Sequence, residues 1–224
     1  MQNYGSKHDI QFLANKRPEI FARKLDGHVV RWLSPLLNEH YHEYSDSFPK
    51  ELGVDKKALN DFWPKGGPHW DGIAIDETNN SVLMIEAKAH ITEMFNTNIQ
   101  AKEASRKDIL HRLKDLSNEL RAKCFIKEYW QGSLYQMANR LAYLEFLNRN
   151  VTKKWRNRIR LVYLVFLNDS IVKKYPLEKN VKETEEAWRT AFYIAEHKML
   201  ALPSKHKLSK YIEHVFIDCN EFVQ

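Results

Sequence analysis

Two short apolar runs face each other across a turn, and they constrain this chain more than anything else in it. They read Trp70-Asp71-Gly72-Ile73-Ala74-Ile75-Asp76 and Ser81-Val82-Leu83-Met84-Ile85-Glu86-Ala87-Lys88-Ala89, joined by Glu77-Thr78-Asn79-Asn80. The joining residues are turn formers, so the segment reads as a β-hairpin. Neither run alternates apolar with polar, so both faces of each strand are expected to be covered. If the turn closes symmetrically and pairs Asp76 with Ser81, Asp71 falls directly opposite Glu86. Opposed side chains share a face with Cβ atoms about 4.5–5.5 Å apart. Lys88, two residues beyond Glu86, points to the same face. Two carboxylates and an ammonium therefore converge at one end of a hairpin that is otherwise apolar. Two carboxylates that close repel each other unless a cation neutralises them, and oxygen ligands with no cysteine nearby suit Mg²⁺ or Mn²⁺.

The short pattern of an acid, any residue and lysine has little weight by itself in a chain that is 29% charged. It recurs at Asp55-Lys56-Lys57 and Glu196-His197-Lys198, neither of which lies in an apolar strand with an acid paired across a turn. An exposed ion pair at a strand end is the bland interpretation of Glu86 and Lys88. Burial of both flanking strands argues against it, because charges there are costly unless they serve something.

The constellation resembles the PD-(D/E)xK nuclease superfamily, whose signature is an acid, a hairpin, and then Asp or Glu, any residue and Lys on the second strand. The resemblance covers about Pro68 to Lys88 and, more loosely, the helices on either side. It departs from the family pattern in one respect: His69 and Trp70 separate Pro68 from Asp71. The resemblance implies a restriction-endonuclease-like α/β fold with a central mixed β-sheet flanked by α-helices. It also implies a Mg²⁺-dependent DNA nuclease acting in restriction, repair or mobile-element processing, with Mn²⁺ able to substitute. Asp71 and Glu86 would hold the metal and Lys88 would be the catalytic lysine. The same resemblance suggests a further metal ligand on the helix before the hairpin, for which Glu39 is the candidate and Glu43 competes. It also suggests a glutamine on the helix after the lysine strand, here Gln136. A nucleic-acid-binding or assembly protein that keeps the fold without turnover is the alternative.

A net charge of +6 and a pI of about 9.1 fit a polyanionic partner without proving one. Lys102, Arg106, Lys107, Arg112, Lys114, Arg121 and Lys123 crowd the segment after the hairpin, and Lys153, Lys154, Arg156, Arg158 and Arg160 follow a later helix. Arg106, Lys107 and Arg140 are the candidate DNA contacts, although a solvated helix face is the better interpretation of any one lysine. The 224 residues contain no repeat or linker-like stretch, so one domain over residues 1–224 is expected. Without a signal-like leader or a long apolar run, a cytoplasmic protein that avoids membranes is expected, with DNA as its partner and room for a homodimer. Cys124 and Cys219 are too few for a disulfide framework or a zinc site. His40, His42 and His69 lack a third partner at a recognisable spacing, and no phosphate-loop, nucleophile-elbow or dinucleotide motif is present.

Around the hairpin, apolar spacing predicts helices over Pro18–His42, Asp55–Phe62, Asn96–Lys127, Ser133–Asn148 and Glu183–Leu200. Strands are predicted at Arg160–Leu167 and Val215–Cys219. In the first helix Leu25, Val29, Trp32 and Leu36 make the stripe that Glu39 continues, with Gly27 and Pro35 marking a break or kink. Gln136, Asn139 and Arg140 lie one turn apart on a flank of the Ser133–Asn148 helix. The order of elements suits a mixed sheet with helices on its faces.

Overall fold

The hairpin closes as its turn residues dictate in the computed structural model, which describes residues 5–45, 48–64, 67–95, 99, 101–120, 128–169, 183–200 and 206–223. Asp76 caps the turn by accepting from the backbone N–H and the side-chain amide of Asn79, both at 3.0 Å. Asn80 takes a left-handed φ of 50°, which asparagine tolerates. Strands β2 (Gly72–Asp76) and β3 (Ser81–Lys88) pair antiparallel with Asp76 opposite Ser81 and Gly72 opposite Ile85. Every residue of both strands is buried.

The segment expected as one helix from Pro18 to His42 is instead a helix, a strand and a turn. Helix α1 (Ser6–Lys16) precedes it, and α2 (Pro18–Lys24) then ends at a left-handed pair, Asp26 (φ 55°) and Gly27 (φ 78°). Beyond that break β1 (Val30–Ser34) pairs antiparallel with β2, setting Trp32 opposite Ala74. The stripe of Leu25, Val29, Trp32 and Leu36 imitates a helix because its spacing is three to four residues. Gly27 breaks that helix, and the β-branched pair Val29-Val30 favours the strand that follows. Glu39 consequently lies in a 3-10 turn, Leu37–Glu39, and is exposed.

Helix α1 was not anticipated, although Ile10, Leu13 and Ala14 give it a buried stripe. Together with α2 it covers one sheet face, packing on Ala74, Leu83, Ile85, Val162, Leu164 and Val215. Gly72 permits the close approach, because a Cβ there would lie 2.8 Å from Ile10 Cδ1 and 3.0 Å from the Trp32 ring.

On the opposite face a larger core joins Met84, Leu161, Tyr163 and Val165 to the remaining helices. After the short helices α3 (Phe48–Glu51) and α4 (Lys56–Phe62) come α5 (Glu103–Glu119), a π-helical turn at Tyr129–Ser133, and α6 (Tyr135–Asn150). Asp55 caps α4 by accepting from Ala58 N at 2.9 Å. The predicted helix Asn96–Lys127 thus corresponds to α5, its expected ends falling in part outside the described residues, as do Arg121 and Lys123. Helix α6 is buried all round from Met137 to Asn148, beyond the single stripe expected of it. Asn148 locks its end to the sheet, donating to Ile159 O (3.0 Å) and accepting from Ile159 N (3.1 Å).

Strand β4 (Ile159–Leu167) runs parallel to β3; α7 (Glu185–Leu200) leads to β5 (Ile212–Asp218), parallel to β4 and three residues longer at its start than predicted. The described sheet is thus five-stranded and mixed, in the order β1-β2-β3-β4-β5, with helices on both faces. Among the described residues no helix is long and apolar enough to cross a membrane.

Candidate active site

The register of the hairpin brings Asp71 to Glu86. Asp71 immediately precedes β2, and its Oδ2 accepts from Ala87 N at 2.8 Å, so its side chain extends the strand pairing by one hydrogen bond. The preceding residues are held from the other side: Trp70 is fully buried and its N–H donates to Tyr44 O at 3.0 Å. Asp71 itself is half-buried.

Glu86 projects to the face covered by α6 and is only 1% exposed. Lys88 and Gln136 both donate to its Oε1. Arg140 grips Oε2 through Nε (2.7 Å) and Nη2 (2.6 Å). One turn of α6 separates Gln136 from Arg140, which is why both reach one carboxylate. Arg140 also donates to His69 O (2.8 Å) and lies over the Trp70 ring at 4.8 Å. A single buried guanidinium therefore ties the approach to β2, the C-terminal end of β3 and α6 together.

These contacts separate the two acids electrostatically. Burial, followed by repulsion from Glu86, pushes Asp71 up from 3.8 to about 7. Glu86 pays the same burial penalty, but Arg140 and Lys88 beside it hold its carboxyl below the ordinary range. Near neutral pH the cluster thus holds one firmly ionised carboxylate, one half-protonated carboxyl and two cations. Its charge lies between zero and +1, which favours an anionic ligand such as a phosphate.

The other predicted site residues lie elsewhere. Glu39 is exposed in the Leu37–Glu39 turn, and Glu43 pairs with Lys7 at 2.6 Å. Arg106 and Lys107 are exposed on α5, Lys107 within 3.6 Å of Glu103. Arg140, also predicted as a DNA contact, is instead buried on Glu86. Among the described residues no three His, Cys, Asp or Glu side chains gather as a complete ligand set.

Two features escaped the sequence reading. In-register pairing across the parallel strands puts Glu86, Tyr163 and His214 side by side on one face. Burial, then Glu196 and Glu86, raise the Tyr163 phenol well above its ordinary value. On the opposite face α1 carries Asp9, pushed from 3.8 to about 8 by burial and by Asp169. The first was not legible because parallel strands far apart in sequence carry no local signal of register, and the second because α1 itself was not anticipated. No family model, curated protein or solved structure matches the chain.

Proposed function

We propose that the Asp71, Glu86 and Lys88 cluster is the centre of a Mg²⁺-dependent nuclease that hydrolyses phosphodiester bonds in DNA. One observation carries the proposal: the hairpin register sets Asp71 beside Glu86 with Lys88 on the same face, at the edge of a core where such charges would otherwise be a liability. Further support comes from the order of elements, in which helices precede a three-strand antiparallel meander followed by helices and a parallel strand. A mixed sheet flanked by helices is what the PD-(D/E)xK resemblance implies.

The donor set fits a divalent cation, subject to one condition. Asp71 Oδ2 holds Ala87 N–H, and its second oxygen has no hydrogen bond among the described residues. Magnesium needs only one or two carboxylates when water and substrate phosphate complete its shell. Glu86 meets that need only if Arg140 releases Oε2, since both its oxygens are engaged. Bound there by Asp71 and Glu86, Mg²⁺ would polarise the scissile phosphate and lower the pKa of a coordinated water. Lys88 would orient that water or offset charge building on the phosphorane. Gln136 holds the Glu86 carboxylate in place, and Arg140, once released, supplies a cation for the phosphate.

The saturation of Glu86 favours a second reading, an inactive nucleic-acid-binding protein in which the four side chains form a self-neutralising structural cluster. Cleavage of plasmid DNA in Mg²⁺ or Mn²⁺ separates the two. The nuclease reading predicts cleavage by the wild type, its loss in Asp71→Asn, and a fall of about 10²–10⁴-fold in Lys88→Ala. An inert wild type, or full cleavage by either variant, would contradict it.

A further inference from the structure

A pocket of about 310 Å³ opens between α7 and β5, at the edge of the sheet. Phe192, Tyr193 and His214 give it aromatic walls, with Glu196, Ser209 and Arg189 as polar lining. Phe192 is buried at the base of this wall, whereas Tyr193 is 62% exposed. His214 Nε2 and Glu196 Oε1 lie 3.0 Å apart, close enough for an ion pair, yet they are not aligned as a hydrogen bond. Both atoms, and Ser209 Oγ, are buried without a hydrogen-bond partner among the described residues. Buried polar atoms are normally satisfied, so Ser209 Oγ and the misaligned His214–Glu196 pair beside one aromatic-walled pocket point to a ligand that would complete their hydrogen bonding.

The pocket lies two strands away from Glu86, on the same face of the sheet. His214 stands in register with Tyr163, which stands in register with Glu86, all on one face. At about 4.8 Å per strand, His214 is about 10 Å from Glu86, roughly three steps of a stacked nucleic-acid strand at about 3.4 Å each. Tyr163 fills the interval, stacked on His214 at 5.6 Å and 5.0 Å from Phe192. At the rim Arg189 is exposed, lies over the Phe216 ring at 4.7 Å and pairs with Glu185 at 2.6 Å, an ion pair readily exchanged for a phosphate.

We infer that this pocket takes one unpaired nucleobase of the substrate strand, stacked against Tyr193 and His214 and hydrogen-bonded through its edge to Glu196 and Ser209. The inference rests on the nuclease reading and narrows its substrate to DNA with a single-stranded portion, because a base inside a duplex cannot reach a lateral pocket without leaving the stack. Aromatic platforms serve this purpose for any base, since each has a π-face. The carboxylate accepts from an amino or imino N–H, while the hydroxyl can donate or accept.

The test is anisotropy binding of a single-stranded oligonucleotide carrying 2-aminopurine and of a blunt duplex of the same sequence, with 2-aminopurine quenching recorded in parallel. The single strand should bind about tenfold more tightly, and Tyr193→Ala should remove that advantage and the quench, as expected for loss of one base–aromatic stack. Tyr193→Phe should keep both. Equal affinity for the two DNAs, or an unchanged quench in Tyr193→Ala, would overturn the inference. Plasmid cleavage measured alongside separates the two claims. Cleavage with no Tyr193-dependent quench removes the pocket alone, whereas a Tyr193-dependent quench without cleavage keeps the pocket and removes the nuclease.

Discussion

Glu86 is where the charges of this molecule are most tightly balanced, so the consequence of removing one partner can be stated. Breaking a buried ion pair by deleting one side leaves the other charge without compensation in a medium that solvates it poorly. Arg140→Ala would leave Glu86 with Lys88 as its neighbouring cation and Gln136 as a neutral donor, and would also strip the cation from the Trp70 face and the donor from His69 O. Thermal or denaturant unfolding should show a loss of about 3–5 kcal/mol. A change below about 1 kcal/mol, the usual worth of an exposed pair, would mean that Arg140 is solvated rather than locked. The residues of this cluster differ in how legible they were. Asp71, Glu86 and Lys88 were readable because a hairpin register is a local property set by its turn. Gln136 and Arg140 were readable as neighbours on one helix flank, but not as partners of Glu86. Nothing in a sequence tells which side of α6 meets which strand.

At the scale of elements, the strands and helices whose patterns extend over many residues came through: the hairpin, β4, α5, α6 and α7 all overlap their predicted spans. The exception is the stretch from Pro18 to His42, where four apolar residues at helical spacing outweighed the glycine that interrupts them. Gly27 and the β-branched pair Val29-Val30 favour the break and the strand locally, and pairing with β2 completes it. The junction of α6 and β4 shows how a single side chain can secure an element. Asn148 pairs with both backbone groups of Ile159, the first residue of β4, and its amide also reaches Leu144 O at 3.1 Å. Asn148→Ala would leave the buried Ile159 N–H and C=O without these bonds and should destabilise the fold by about 1–3 kcal/mol. Chemical denaturation with an unchanged m-value would check this, and a variant as stable as the wild type would contradict it.

For the whole molecule, the deciding property is whether the pair of acids at the hairpin's end holds a metal. Asp71, raised to about 7, gains a proton on folding between its ordinary value of 3.8 and that point. As pH rises through that window, the folded protein loses stability from this group, and a bound cation offsets the loss by favouring the ionised form. Metal affinity should therefore climb between pH 6 and 8, with a proton released on binding at the lower end. The most direct measurement is calorimetric titration of Mn²⁺ into the wild type and Asp71→Asn across that pH range. The expected result is binding by the wild type that strengthens with pH, accompanied by proton release, and no binding by Asp71→Asn. Equal Mn²⁺ affinity in the two proteins, or a wild type that binds no Mn²⁺ at any pH in the range, would contradict it.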